Sequence, residues 1–226
     1  TMRNRSATLE TESVPEADEL GRRLIMDIDD YDTTNASDIL PGSDSSPEAD
    51  ENTLSRRKLL EMARVADSLY GDQDAKMLGL IQPLKDLITD GFSPIIFCRF
   101  IQTAEYLAEQ LRERLPKSIQ IMSITGLLPP EEREDRVKEI AKFPSRILVC
   151  TDCLSEGINL QDHFDAVIHY DLSWNPTRHE QREGRVDRFG QKAREVRTTM
   201  LYGQDNPVDG AVLHVILRKA ESIRKE

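Results

Sequence analysis

Between residues 94 and 202, short apolar runs rich in β-formers alternate with amphipathic stretches of helical period. The runs are "PIIFC" (94–98), "IQIMSI" (119–124), "RILVC" (146–150), "AVIHY" (166–170) and "RTTMLY" (197–202). Helical stretches fall between them at 101–115, 131–142 and 176–187, and the chain closes on a helix near 207–224. Near-continuous apolar strands separated by amphipathic helices predict a parallel sheet covered on both faces, which is a doubly wound α/β domain. Ligands of such a domain gather at the carboxyl ends of the strands.

Upstream of this region the composition changes. Residues 1–52 carry 14 acidic and 4 basic residues, whereas the chain from 53 onward holds 27 acidic and 26 basic. The first segment is also rich in Ser, Thr and Pro and buries too little apolar surface to offset the entropy of ordering, which predicts a disordered linker or insertion. One apolar patch, Leu20 to Ile28, is a candidate helix or docking segment. The aspartates Asp27, Asp29, Asp30 and Asp32 do not make a calcium loop, because Tyr31 and Asp32 stand where a ligand and a glycine are needed. From Thr53, a plausible N-cap, "TLSRRKLLEMARVADSLY" has helical spacing, as has "DAKMLGLIQPLKDLIT" with Pro83 as a candidate kink. The resulting division is 1–52 acidic linker, 53–73 connecting helix and 74–226 folded domain.

Three cysteines form no disulfide framework, and no signal peptide is present, so a reducing intracellular compartment is expected. The apolar runs are too short to span a bilayer, and no amphipathic helix has a markedly basic face, so no membrane partner is expected. Cys150 and Cys153 have CxxC spacing. A zinc site would need two further ligands from Cys98 and four scattered histidines, and Cys150 ends an apolar strand, so buried free thiols are the expectation. His163 and His169 read as polar loop and strand positions. No serine or cysteine sits in a nucleophile-elbow context.

Two polar clusters follow strands and should share one rim. "RILVC" runs into "TDCLSEGINLQ", and "AVIHYD" into "LSWNPTRHEQREGRVDRFGQ". Thr151 and Asp152 could offer a hydroxyl and backbone N–H groups to a phosphate, Gly157 allows close backbone approach, and Pro176 suits a helix start. Behind Gly184, Arg185 and Arg188 stand at i and i+3, which on a helix places both guanidinium forks on one face. Such a pair suits a polyanion, although a solvated helix face would look the same.

These stretches resemble motifs five and six of superfamily two helicases, most closely the Swi/Snf-type translocases with their bacterial relatives. "SPIIFCRFIQTAEYLAEQL" is similar to the fourth motif, and "SITGLLPPEEREDRVKEIAKF" to the strand, turn and helix after it. The likeness covers roughly 74–226 and implies a RecA-like lobe. It implies that Arg185 and Arg188 are arginine fingers reaching the γ-phosphate of ATP bound mainly by another lobe. Gln181 and Gln191 would hold the finger loop, and Gly157, Gln181, Gly184 and Asp187 would face the nucleotide. Thr151, Asn159, Thr125 and Gly126 would follow a nucleic-acid backbone. Trp174 would reach towards DNA, or serve as a core or rim anchor; Arg99 would meet a phosphate, or form a structural ion pair.

A lobe of this kind needs GxxxxGK[ST] to cradle phosphates and an acidic pair for Mg²⁺. No glycine in this chain is followed by lysine. With the opening Thr1, this is the expectation for the second lobe of a longer bacterial, cytoplasmic and nucleoid-associated duplex-DNA translocase, inactive alone, whose partner lobe holds ATP and Mg²⁺. The chain itself is expected to hold no metal. A non-catalytic docking or nucleic-acid-binding module is the alternative. Seven basic against four acidic residues between 176 and 197 predict weak, salt-sensitive nucleic-acid binding.

Overall fold

The computed structural model describes residues 49–154, 158–173 and 176–203, with 209–210, 213–215 and 218 beyond them. Helix α1 spans Ala49–Ser68, α2 Ala75–Thr89, α3 Ile101–Arg114, α4 Pro130–Ile140 and α5 Pro176–Val186. The strands are β1 Pro94–Phe97, β2 Gln120–Ile124, β3 Arg146–Cys150, β4 Ala166–His169 and β5 Arg197–Met200. All pair in parallel, in the order β2-β3-β1-β4-β5. The chain therefore leaves the central strand β1 in one direction to form β2 and β3 and returns past it to form β4 and β5. That reversal beside β1 opens a crevice at the strand ends, where open α/β sheets take their ligands.

Period-two alternation divides the sheet's side chains between two cores. Ile96, Val149 and Ile168 pack with Met77, Leu80 and Leu84 of α2 and Leu107 and Leu111 of α3. Ile95, Phe97, Leu148 and Val167 point the other way and pack with Val137 and Ile140 of α4 and Val186 of α5. β1 is buried along its whole length because it lies under helices on both faces. At about 25 cal/mol per Å² of apolar surface, each fully buried Ile or Leu contributes on the order of 2 kcal/mol.

Local signals explain the helix limits. The Asp74 side chain caps α2 by accepting from Met77 N–H at 3.0 Å. Past its other end Gly91 adopts φ 90, and Phe92 N–H reaches back to Leu87 C=O at 2.9 Å, an ending that glycine permits at no steric cost. Pro83 lies inside α2 without ending it.

Two boundaries differ from the sequence expectation. α1 begins at Ala49, so Thr53 lies inside the helix rather than capping it, and the last residues of the acidic segment are helical. α1 also ends at Ser68, and residues 71–73 form a separate 3-10 turn at Gly71–Gln73. The apolar patch and aspartates of residues 20–32, and most of the closing stretch 207–224, lie outside the described residues.

Candidate functional site

The site is built on the carboxyl ends of β3 and β4. Asp152, two residues past β3, receives Arg182 of α5 through Nε to Oδ1 and Nη2 to Oδ2, both at 2.7 Å. Arg182 is only 2% exposed, so this bidentate pair is buried and is the main polar tie between α5 and the rim. The remaining nitrogen, Nη1, donates to the Asp171 carbonyl at 3.2 Å. Arg178 approaches Asp152 Oδ2 at 3.7 Å, and Arg185 Nη1 donates to the Asp152 carbonyl at 3.4 Å. Three arginines on one helix thus converge on one residue, and Arg185 is half-buried among them.

Asp171, the residue after Tyr170 beyond β4, extends the network. Its Oδ1 accepts from Lys76 Nζ at 2.8 Å and its Oδ2 from the Arg99 backbone N–H at 3.0 Å. The Arg99 guanidinium lies 5.6 Å from the Phe100 ring centroid. Under α5, buried His169 meets Glu183 through Nε2 and Oε1 at 3.0 Å, and its ring lies edge-on to His179 with centroids 4.5 Å apart. Burial pushes both imidazoles' pKa values down, that of His179 to about 4.

Arg188 departs from the sequence reading. α5 ends at Val186, so Arg185 and Arg188 do not share a helical face. Arg188 is exposed in a turn in which Gln191 N–H donates to its carbonyl at 2.9 Å and Gly190 takes φ 99. The glutamine amide ends the helix: Gln191 Nε2 donates to Val186 C=O at 3.0 Å and Phe164 C=O at 2.9 Å, while Oε1 accepts from Ala193 N–H at 3.0 Å. Gln191 therefore holds the turn that follows α5. Gln181, expected to share that task, is exposed on α5, as is Gly184, and Asp187 is exposed just past the helix end.

On the β2 side, Thr125 and Thr151 are buried, and Thr151 N–H donates to Ile124 C=O at 3.3 Å. From these positions they shape the rim from beneath rather than offer open hydroxyls. Gly126 is half-buried and Asn159 exposed. Arg133 ties the two loops together, donating to Leu128 C=O at 2.7 Å, Gly126 C=O at 3.2 Å and Cys153 C=O at 2.8 Å. Gly157 and Trp174 lie outside the described residues. Cys98, Cys150 and Cys153 are buried free thiols, and burial pushes the first two well up, away from the reactive thiolate.

Part of the local basic excess is paired within the domain. Arg178 and Arg182 serve Asp152, and Arg197 contacts Asp90 and Glu195. Arg182 and Arg133 were not singled out from sequence, because an arginine's partner across the fold leaves no local mark. Arg182's place in the run "QREGR" was the one available signal.

The helicase conserved C-terminal domain family matches residues 79–190, which takes in β1 to β4, α5 and the arginine turn. Residues 79–190 are a helicase conserved C-terminal domain. Among curated proteins, the ATP-dependent RNA helicase fal1 of Schizosaccharomyces pombe is 35% identical over 98 residues, and the ATP-dependent RNA helicase eIF4A of Candida albicans 39% identical over 98. Each match covers 43% of this chain, which spans only about a quarter (24%) of the relative. The C-terminal part of the Fun30 ATPase domain superposes with a TM-score of 0.57 at 18% identity, over 93% of this chain and 74% of that one, a likeness of fold. The helicase domain's RecA-like architecture is thus the expected one. The narrower expectation of a bacterial Swi/Snf-type, DNA-specific protein is not supported by these sequence matches, which are to proteins named as RNA helicases.

No helix among the described residues is long and apolar enough to cross a membrane.

Proposed function

We propose that this helicase domain is the second lobe of an ATP-driven nucleic-acid motor and supplies the arginine fingers to ATP and Mg²⁺ held by a partner lobe of a longer protein. One observation carries the reading: the buried Arg182–Asp152 pair pins α5 to the end of β3, which leaves Arg185 half-buried at Asp152 and Arg188 exposed beyond the helix end. Planar, permanently charged guanidinium groups suit the charge that spreads over a transferring phosphoryl group. Arg185 is already engaged with a main-chain carbonyl, so its contribution requires it to leave that carbonyl or share its donors. Arg188 is the finger ready for a phosphate.

Gly157, Gln181, Gly184 and Asp187 complete the nucleotide side in this proposal. Gly126, Asn159 and Arg99 line the nucleic-acid track, with Thr125 and Thr151 setting the shape of its floor, and Trp174 is assigned a nucleic-acid contact. Duplex DNA is the substrate suggested by the "SWNP" stretch and its Swi/Snf likeness. RNA is the second reading, favoured by the identity to proteins named as RNA helicases.

The test is ATP hydrolysis by the longer protein that contains these residues, with no nucleic acid, duplex DNA or RNA, in wild-type and Arg188→Ala forms. Turnover stimulated by one nucleic acid and lost with Arg188 is the expected result. Turnover indifferent to Arg188, or absence of a phosphate-binding loop elsewhere in that protein, would favour the non-catalytic docking module instead.

A further inference from the structure

We infer that Phe189 is the apolar anchor through which this domain docks on the nucleotide-bearing lobe, an inference that rests on the finger reading of Arg188 and assigns its neighbour a part in partner recognition. Phe189 is 102% exposed, more than any other large hydrophobic side chain described. A single exposed apolar residue is ordinary when its loop is free to move. This one stands on a bonded turn. Gln191 fastens the turn to Phe164 C=O and Val186 C=O, and Gly190 at φ 99 completes it. The phenyl ring is presented outward by a rigid support, so its backbone has little left to order on binding.

Gly184 is the second observation. It lies inside α5, and a Cβ added there would meet nothing within 4 Å. Its φ is not positive, so alanine would fit the backbone as well. Glycine weakens a helix interior relative to alanine, and nothing within the described chain requires it. The room above Gly184 therefore suits a surface arriving from outside.

An open seat at Gly184, a cation at Arg188 and a rigid aromatic at Phe189 lie within six residues. Interfaces draw much of their affinity from aromatic and arginine side chains that enter pockets. The matching partner is a protein surface bearing an apolar slot beside an anion, which describes a lobe holding a nucleotide.

The experiment uses the longer protein with a photoreactive benzoylphenylalanine at position 189, irradiated with a non-hydrolysable ATP analogue and nucleic acid present. Cross-links to residues of the lobe carrying the phosphate-binding loop are expected. Phe189→Ala should raise the KM for ATP at least tenfold without lowering the Tm, and Phe189→Leu should restore most of it. Cross-linking to nucleic acid alone or to nothing, or a Phe189→Ala protein with unchanged KM and kcat, would overturn the assignment. If Arg188→Ala also left hydrolysis intact, the finger reading itself would fall and this inference with it; an Arg188-dependent enzyme indifferent to Phe189 would sink the anchor alone.

Discussion

Arg182 and Asp152 meet through two parallel hydrogen bonds of 2.7 Å, and the arginine is 2% exposed. They join helix α5 to the end of strand β3 across thirty residues of chain. Removing one partner of a buried pair leaves the other charge uncompensated, which typically costs ~3–5 kcal/mol. Arg182→Ala should lower the unfolding free energy by about that amount in denaturant titration. Arg182→Lys should recover only part of it, because an ammonium cannot make the planar two-point contact.

Acid should loosen the same helix by another route. Burial holds His179 at about 4, below its ordinary 6.5, and pushes His169 down as well. A histidine with a depressed folded pKa is kept neutral by folding, so the unfolded chain takes up its proton first. Stability is therefore retained above pH 6.5 and falls as the pH drops from 6.5 towards 4. For His179 alone the difference between those two values corresponds to at most ~3 kcal/mol. Thermal unfolding followed across that range should show the slope, and His179→Asn should flatten it.

Gln191 fixes the turn after α5 through an amide that donates to Phe164 and Val186 and accepts from Ala193. Gln191→Ala should cost ~1–3 kcal/mol, since two carbonyls and one N–H lose their partner. Hydrogen exchange should accelerate around 187–193 while β1 and β3 stay protected. Uniform acceleration across the sheet would mean that the turn is not a separate unit.

Arg188 should show the opposite profile. It is exposed beyond the helix end, so Arg188→Ala should leave the unfolding free energy within ~0.5 kcal/mol of wild type. In the longer protein the same change should reduce ATP turnover on the order of a thousandfold or more. Stability and turnover measured on one preparation separate the proposed finger from the structural Arg182.

Arg133 donates to carbonyls of Gly126, Leu128 and Cys153, coupling the loops after β2 and β3. Arg133→Ala should weaken binding of the domain to nucleic acid and lower its salt dependence little, because Arg133 shapes the loops rather than meeting phosphate. Filter binding at several salt concentrations tests this. A steeply reduced salt slope would make Arg133 a direct contact.

The sequence by itself determined the architecture. Runs such as "PIIFC" and "RILVC" are too apolar to face water and too short to be helices, and the spacers between them have one apolar stripe, so a covered parallel sheet was the consistent solution. It also placed Thr151, Asp152 and the arginine cluster at strand ends, because motif order follows strand order. The partnerships were decided only by the tertiary structure. Periodicity put Arg185 and Arg188 on one helical face, but Gln191, reaching Phe164 from beyond the helix, ends α5 between them. The basic excess of 176–197 was likewise reduced once Arg178 and Arg182 found Asp152, and Arg197 found Asp90. Hydrophobic pattern is local and survives in the linear chain. Which charges neutralise one another depends on contacts between residues far apart in sequence, and these exist only once folding has brought them together.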